Sequence, residues 1–300
     1  MNKVNRIIRI GSRNGPLALT QTQIVIDAVK RDNHYIDFEI VTFKTTGDKI
    51  LDKSLDFFGG KGVFTKELEQ ALSDGSIDIA VHSYKDMPID ETDGLPIVAL
   101  SVREAPFDVL VLPKGTTAID IDKSRPVGSS SLRRTIQFAK LYDGIDIKAV
   151  RGNVSTRLSK LDNGEYSALI LAQAGLNRLS LQDRISRVFT VDEMIPAASQ
   201  GILAVQGRRG EDYSFLDGFH NRESEIVSKA ERTFVKALGG GCSSPVAAYG
   251  RIDNDTLLLT GMYVDPHGNI EKGNISGGID NSERLGETLA ERLRKKAGSR

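Results

Sequence analysis

The sequence predicts an α/β body with a smaller α+β tail. Three observations carry this. Short apolar runs rich in Val and Ile alternate with helical patterns up to about residue 220. The alternation restarts at Pro126. After Ser224, one long helical pattern leads into three consecutive strand-like runs. Alternating strands and helices argue for parallel sheets covered by helices on both faces. A chain of 300 residues suits two or three domains better than one.

Residues 7–10 read as a buried strand. Gly11-Ser-Arg-Asn-Gly15 follows as a tight turn, and Pro16 suits the first position of a helix over 17–30. Residues 38–43 alternate and read as a second strand. Residues 44–62 form a long connection containing Gly47-Asp48 and Gly59-Gly-Lys-Gly62. Connections of that length without structure of their own are usually functional. A helix over 63–72 follows, with Glu67 supporting its first turn. A strand over 77–81 ends in His82-Ser-Tyr-Lys-Asp-Met-Pro88, and 97–102 and 108–112 are further apolar runs. In the second half, Pro126-Val-Gly leads into Ser129-Ser-Ser-Leu-Arg-Arg134 and a helix to about Leu141. Strands over 145–150 and 168–171 flank a helix that ends at Leu161. A strand over 202–205 and a helix over 212–219 complete this part. The tail reads as a helix over 224–238, strands over 246–252, 256–264 and 269–276, and an amphipathic helix over 281–296.

Lys plus Arg and Asp plus Glu are each 40, so the formal net charge is zero. This speaks against nucleic-acid binding through bulk positive charge, and the absence of Trp leaves no obvious base-stacking platform. No run approaches the roughly 18 apolar residues of a membrane span. The apolar residues of the N-terminus are broken by Arg6 and Arg9, unlike a signal peptide. The single cysteine excludes an internal disulfide and suits a reducing compartment. His34, His82, His220 and His267 are scattered without ligand-like spacing, so no metal site is expected. The expectation is a cytoplasmic protein without nucleic-acid or membrane partners. The lack of a long apolar surface helix favours a monomer.

Open α/β sheets bind ligands beyond the carboxyl ends of their strands. Those ends carry Ser12 and Arg13, Lys44 with Asp48, and Ser83, Lys85 and Asp86. The second set carries Ser129, Ser131, Arg133 and Arg134, then Arg151 with Arg157. Hydroxyls, helix N-termini and guanidiniums at five strand ends make an anion-binding constellation. Each piece alone reads as well as a capped helix or a solvated face; the recurrence carries the inference. Asp86 is the acid in this basic set. It suits stabilising a transient cation or moving a proton, and equally an ion pair with Lys85 or a turn cap before Pro88. Leu238-Gly-Gly-Gly-Cys-Ser-Ser-Pro245 holds the only cysteine, Cys242, just past a helix that must stop at the glycines. Cys242 reads either as a small buried hydrophobe or as a thiol with room beside it.

Eight ordered motifs now stand out. They are Arg13…Pro16-Leu-Ala-Leu19, Gly59-Gly-Lys-Gly-Val-Phe-Thr-Lys-Glu-Leu-Glu69, Ala80-Val-His-Ser-Tyr-Lys-Asp-Met-Pro88, Gly128-Ser-Ser-Ser-Leu-Arg-Arg134, Arg151-Gly-Asn-Val…Arg157-Leu158, Leu171-Ala…Ala174-Gly-Leu…Arg178-Leu179, Pro196-Ala…Gln200-Gly201 and Gly240-Gly-Cys-Ser-Ser-Pro-Val-Ala247. On these the chain resembles the porphobilinogen deaminase family over about residues 7–250.

The resemblance implies an α/β fold of two doubly wound domains like those of periplasmic binding proteins, plus a smaller α+β C-terminal domain. The implied divisions are 1–102 with 200–221, 103–199, and 222–300. It implies a transferase that condenses four porphobilinogens head to tail with loss of ammonia, then hydrolyses the product off as hydroxymethylbilane. It also implies a dipyrromethane cofactor, joined by a thioether to Cys242. Each pyrrole bears an acetate and a propionate, so the cations at the strand ends would hold a growing polycarboxylate. By resemblance, Ser83, Lys85, Ser129, Ser131, Arg133, Arg134 and Asp86 hold the cofactor. Arg13, Arg151, Arg157, Phe64 and Gln200 serve the substrate, and Asp86 is the catalytic carboxylate. Residues 44–62 would form a lid. Four positions depart from the family pattern: Gly15 for serine, Phe57 for lysine, Ser199 for glycine and Gln206 for glutamate. Two rival readings use the same strand-end cations. A phosphate-handling transferase should carry a full phosphate loop or an acid pair for a metal, and the sequence has neither. A non-catalytic anion-binding module would need neither Asp86 nor an exposed thiol.

Overall fold

The structure, a computed structural model, describes residues 6–45, 65–116, 121–241, 244–265 and 267–298. In chain order the strands are β1 (Arg6–Arg13), β2 (Ile36–Phe43), β3 (Ile79–Ser83), β4 (Ile97–Leu100), β5 (Asp108–Val111), β6 (Val127–Gly128), β7 (Ile147–Lys148), β8 (Ala168–Ala172), β9 (Arg187–Val188), β10 (Leu203–Gln206), β11 (Ala247–Asp253), β12 (Thr256–Val264) and β13 (Ile270–Gly278). The helices are α1 (Pro16–Asp32), α2 (Lys66–Ser73), α3 (Leu132–Leu141), α4 (Val154–Asp162), α5 (Gln173–Arg178), α6 (Arg222–Ala237) and α7 (Ser282–Gly298). They form two compact units, Met1–Arg103 with Ile202–Ser224, and Glu104–Gly201 with Glu225–Arg300.

The first unit holds a sheet in the order β2-β1-β3-β10-β4. Alternation along each strand supplies two apolar faces. Ile8, Ile10, Ile79, Val81, Leu203 and Val205 pack on Val25, Ile26 and Val29 of α1. The opposite face receives Leu68, Ala71 and Leu72 of α2, packed with Ile77, Ala80 and Leu95. Full burial of such side chains contributes about 1.5–3 kcal/mol each. Gly11 lets α2 approach: a Cβ there would lie 2.3 Å from Ile77 Cδ1 and 2.8 Å from Leu68 Cδ2.

The second unit holds a sheet in the order β7-β6-β8-β5-β9. Phe138 of α3 packs with Leu110, Val127, Ile170 and Phe189 on one face. Leu158 and Leu161 of α4 and Leu176 pack with Val109, Val111, Leu169 and Leu171 on the other. Counted along each unit's own four parallel strands, both sheets run second, first, third, antiparallel, fourth. The antiparallel strands are β5 and β10, each the first strand made after the chain passes into that unit. The expectation of parallel sheets is corrected at these two strands. A strand buried on both faces reads as a continuous apolar run in either direction, so hydrophobicity cannot show its polarity.

The tail adds the antiparallel sheet β11-β12-β13, with Leu285, Leu289 and Leu293 of α7 against it. It joins the rest of its unit through Ile195, Ala247 and Met262. Buried Glu231 of α6 ties the same parts together. It accepts Ser199 N–H at 2.6 Å on Oε2 and Gly250 N–H at 2.6 Å on Oε1. Buried carboxylates persist only when satisfied in this way.

Two sequence expectations need shortening. Residues 212–219 make only a 3-10 turn at Ser214–Leu216, where Asp212 Oδ1 accepts Ser214 N–H at 2.9 Å and favours a turn over a helix. The strand expected over 145–150 is confined to Ile147–Lys148, because its partner β6 is two residues long and follows Pro126.

Ser199 occupies left-handed backbone at φ 61°, and its buried hydroxyl has no hydrogen-bond partner among the described residues. Both features oppose a serine here. Ser199→Gly is expected to stabilise the fold by about 1 kcal/mol, read as a thermal midpoint raised by about 2 °C. A lower midpoint would contradict this. His82 is buried on β3. Burial pushes its imidazole from the ordinary 6.5 down to about 4; the Arg13 charge acts the same way, and the Gln206 amide opposes it. The unfolded chain therefore binds the proton first as pH falls. The stability tied to neutral His82 is complete above pH 6.5 and is lost as pH falls toward 4. Urea midpoints between pH 7 and 4 should fall less steeply in His82→Gln than in the parent, and parallel curves would refute the assignment.

Candidate functional site

In the first unit, β1, β2 and β3 end at one edge of the sheet. Arg13 is in register with Phe43, and Asn14 N–H donates to Phe43 O at 2.8 Å, binding two of these ends together. Pro16 starts α1 directly beyond, with its ring in place of an N–H the helix would not use. The helix is pinned to the end of β3 by Gln21 Nε2, which donates to Ser83 Oγ at 2.9 Å. A single 3-10 turn, Tyr84–Asp86, then carries Lys85 and Asp86, both half-buried. It is held by Tyr84 N–H to Ile202 O at 3.0 Å and Met87 N–H to Tyr84 O at 3.2 Å. This edge thus collects Ser12, Arg13, Lys44, Ser83, Lys85 and Asp86.

The second unit repeats the arrangement with more guanidiniums. Gly128 ends β6, where a Cβ would lie 2.5 Å from Leu169 Cδ2, and Ser129–Ser131 lead into α3. Ser130 Oγ donates to Val150 O at 2.6 Å and joins the β6 end to the neighbouring one. Ser129 Oγ accepts Ser131 N–H at 3.3 Å. Ser131 is the N-cap of α3, yet its hydroxyl makes no cap bond. Beyond Val150, Gly152 turns at φ 110° and Asn153 caps α4, its Oδ1 accepting Thr156 N–H at 2.9 Å. Arg157 Nε donates to Gly152 O at 2.7 Å and so lies on the turn that carries Arg151.

Arg133 and Arg134 are almost fully inside, at 4% and 8% exposure, and meet at Asp108, which is 0% exposed. Arg133 Nη1 donates to Asp108 Oδ2 at 2.6 Å and to Ile195 O at 2.7 Å. Arg134 Nε and Nη2 reach Oδ1 at 2.9 and 2.8 Å, and its Nη1 donates to Ile170 O at 3.1 Å. Gln200 Nε2 donates to the same Oδ1 at 3.0 Å and to Pro106 O at 2.5 Å. Burial acts to raise the Asp108 carboxyl, yet the charges of Arg133 and Arg134 hold it well below the usual carboxylate range.

Of the residues singled out in the sequence, Arg13, Ser83, Lys85 and Asp86 gather at the first edge. Ser129, Ser131, Arg133, Arg134, Gln200, Arg151 and Arg157 gather at the second. Cys242, Phe64, Phe57, Lys61, Asp48 and most of 44–62 lie outside the described residues. Asp108 is the residue the sequence reading missed. Its signal was an acid heading an otherwise apolar strand, which burial forces into a partnership. The turn before Cys242 is described as far as Gly241. Gly240 N–H donates to Val235 O and Gly239 N–H to Lys236 O, both at 2.9 Å, with Gly239 at φ 68°. This paired closure stops α6 where the glycines predict.

Both edges present hydroxyls and cations around few acids, a chemistry suited to ligands with several carboxylates. Among the described residues no cluster of His, Cys, Asp and Glu is arranged for a metal, and no helix is long and apolar enough to cross a membrane.

Two family models match the chain. Residues 8–215 match "Porphobilinogen deaminase, dipyromethane cofactor binding domain" and residues 226–295 match "Porphobilinogen deaminase, C-terminal domain". The chain is 57% identical over 290 residues to the porphobilinogen deaminase of Acetivibrio thermocellus, covering 97% of this chain and 99% of that one. It is 54% identical to that of Alkaliphilus oremlandii, over 94% and 95%. It is 41% identical to that of Neisseria meningitidis serogroup B, over 95% and 92%. Among solved structures, the BenM effector-binding domain is similar at a TM-score of 0.43 and 13% identity, over 72% of this chain and 90% of that one. With both family models matched in order along nearly the whole chain, and relatives of 41–57% identity over at least 94% of it, the chain belongs to the porphobilinogen deaminase family of transferases.

Proposed function

We propose that the strand-end residues of this chain bind the carboxylates of a dipyrromethane cofactor, of porphobilinogen and of the growing chain, and that Asp86 performs the chemistry. In each round one carbon–carbon bond forms, the aminomethyl carbon–nitrogen bond and the α-carbon C–H bond of the acceptor pyrrole break, and the amine and that proton leave as ammonia. Four rounds and a final hydrolysis give hydroxymethylbilane. The observation that supports this best is the composition of the first edge: Arg13, Ser83 and Lys85 around one half-buried acid, Asp86.

A dipyrromethane supplies the primer on which the chain is built. Its acetates and propionates suit the donors present: Ser83 and Lys85 on one edge, and Ser129, the Ser131 hydroxyl, which makes no cap bond to α3, Arg133 and Arg134 on the other. Arg13, Arg151, Arg157 and Gln200 serve the substrate, together with Phe64. Asp86 stabilises the positive charge that develops on the pyrrole as ammonia departs, and it accepts the pyrrole N–H. Cys242 is the sequence's one candidate for attachment. A thioether there resists the hydrolysis that releases the product. The protein acts as a cytoplasmic monomer without nucleic-acid or membrane partners.

Intact-mass measurement of protein purified from haem-synthesising cells should show a two-pyrrole adduct that disappears in Cys242→Ser; an unmodified parent mass would defeat the proposal. Asp86→Ala should keep the adduct and lower kcat by about a hundredfold or more. Undiminished turnover in that variant would remove Asp86 from its role.

A further inference from the structure

Asp108 begins β5, a strand hydrogen-bonded on both sides, by β8 and β9. Because β5 is antiparallel, its first residue pairs with Ala172, the last of β8, and so stands at the carboxyl edge. A carboxylate on a central strand is held more rigidly than one on a loop. Gln200 braces it further by donating to Oδ1. Each Asp108 oxygen then fixes a different guanidinium at the first turn of α3. One carboxylate between two guanidiniums leaves a net positive charge held away from water. Arg133 spends Nη1 on the fold, while its Nε and Nη2 hold no hydrogen bond among the described residues.

Two adjacent arginines repel, and each loses about 2 kcal/mol of rotamer freedom when ordered. A partner that orders them before the ligand arrives removes that cost from binding. We propose that Asp108 is a positioning residue, whose two oxygens set Arg133 and Arg134 side by side and so aim the Nε and Nη2 donors of Arg133 at ligand carboxylates beside the Arg134 charge. This rests on the assignment of Arg133 and Arg134 to carboxylate binding made above.

Asp108→Asn separates positioning from charge. It preserves shape while adding one positive charge to the edge. Charge alone would tighten anion binding, whereas loss of alignment weakens it. We expect KM for porphobilinogen to rise about tenfold with a much smaller change in kcat, and the fraction of protein carrying the cofactor mass to fall. Asp108→Glu keeps the charge but moves the carboxylate by one methylene, and should raise KM severalfold while remaining folded by circular dichroism. Unchanged or lower KM with full cofactor in either folded variant overturns the proposal. If neither variant folds, Asp108 holds the fold instead and the proposal falls as well. Arg133→Gln and Arg134→Gln are measured alongside. If both load cofactor and turn over normally, the carboxylate-binding assignment has failed. If they are impaired and Asp108→Asn is not, only the positioning role has failed.

Discussion

The second unit's edge depends on one buried carboxylate. Asp108 lies beyond the reach of water, a place where an unpaired charge would cost several kcal/mol. The surroundings answer with two guanidiniums and an amide, and the guanidiniums in turn find Ile195 O and Ile170 O. Gln137 extends the network, accepting Ile195 N–H at 2.9 Å and donating to Ile195 O at 3.1 Å. One acid therefore fixes helix α3, strands β5 and β8, and the segment from Ile195 to Gln200 relative to one another. Networks of this kind are high-stakes, because removing one member leaves the others buried and unsatisfied.

A second buried acid organises the tail. Glu231 spans Ser199 and Gly250, so α6 is anchored midway along its length. Two turns later the helix stops on Gly239 and Gly240, where a Cβ on Gly240 would lie 2.9 Å from Val235 Cγ1. The approach to Cys242 thus leaves a helix end that is fixed by its own backbone bonds and by the close approach of Gly240 to Val235.

Three of the four positions at which the resemblance implies another residue have physical descriptions among the described residues. A Cβ at Gly15 would meet nothing within 4 Å, so packing does not require glycine there. Gln206 is buried and donates to Leu95 O at 3.0 Å and Glu69 Oε1 at 3.3 Å, so the amide has work that a carboxylate could not do. Ser199 is tolerated in left-handed backbone because Glu231 holds its N–H at 2.6 Å.

The α/β class, the restart of the pattern at Pro126 and the α+β tail were legible in the chain, because periodicity reports which faces of an element are buried. So were the Arg, Lys and Ser residues at the strand ends, because helix caps and glycine turns mark those ends locally. The direction of β5 and β10 was not legible, since an apolar strand looks alike from either end. That blindness hid Asp108: it stands at the amino end of its own strand, and only antiparallel pairing with β8 brings it to the carboxyl edge beside Arg133 and Arg134. Residue types at strand ends are a local property and can be read from sequence. Which charge meets which is set by strand polarity and the order of the sheet, and the tertiary structure alone decided it.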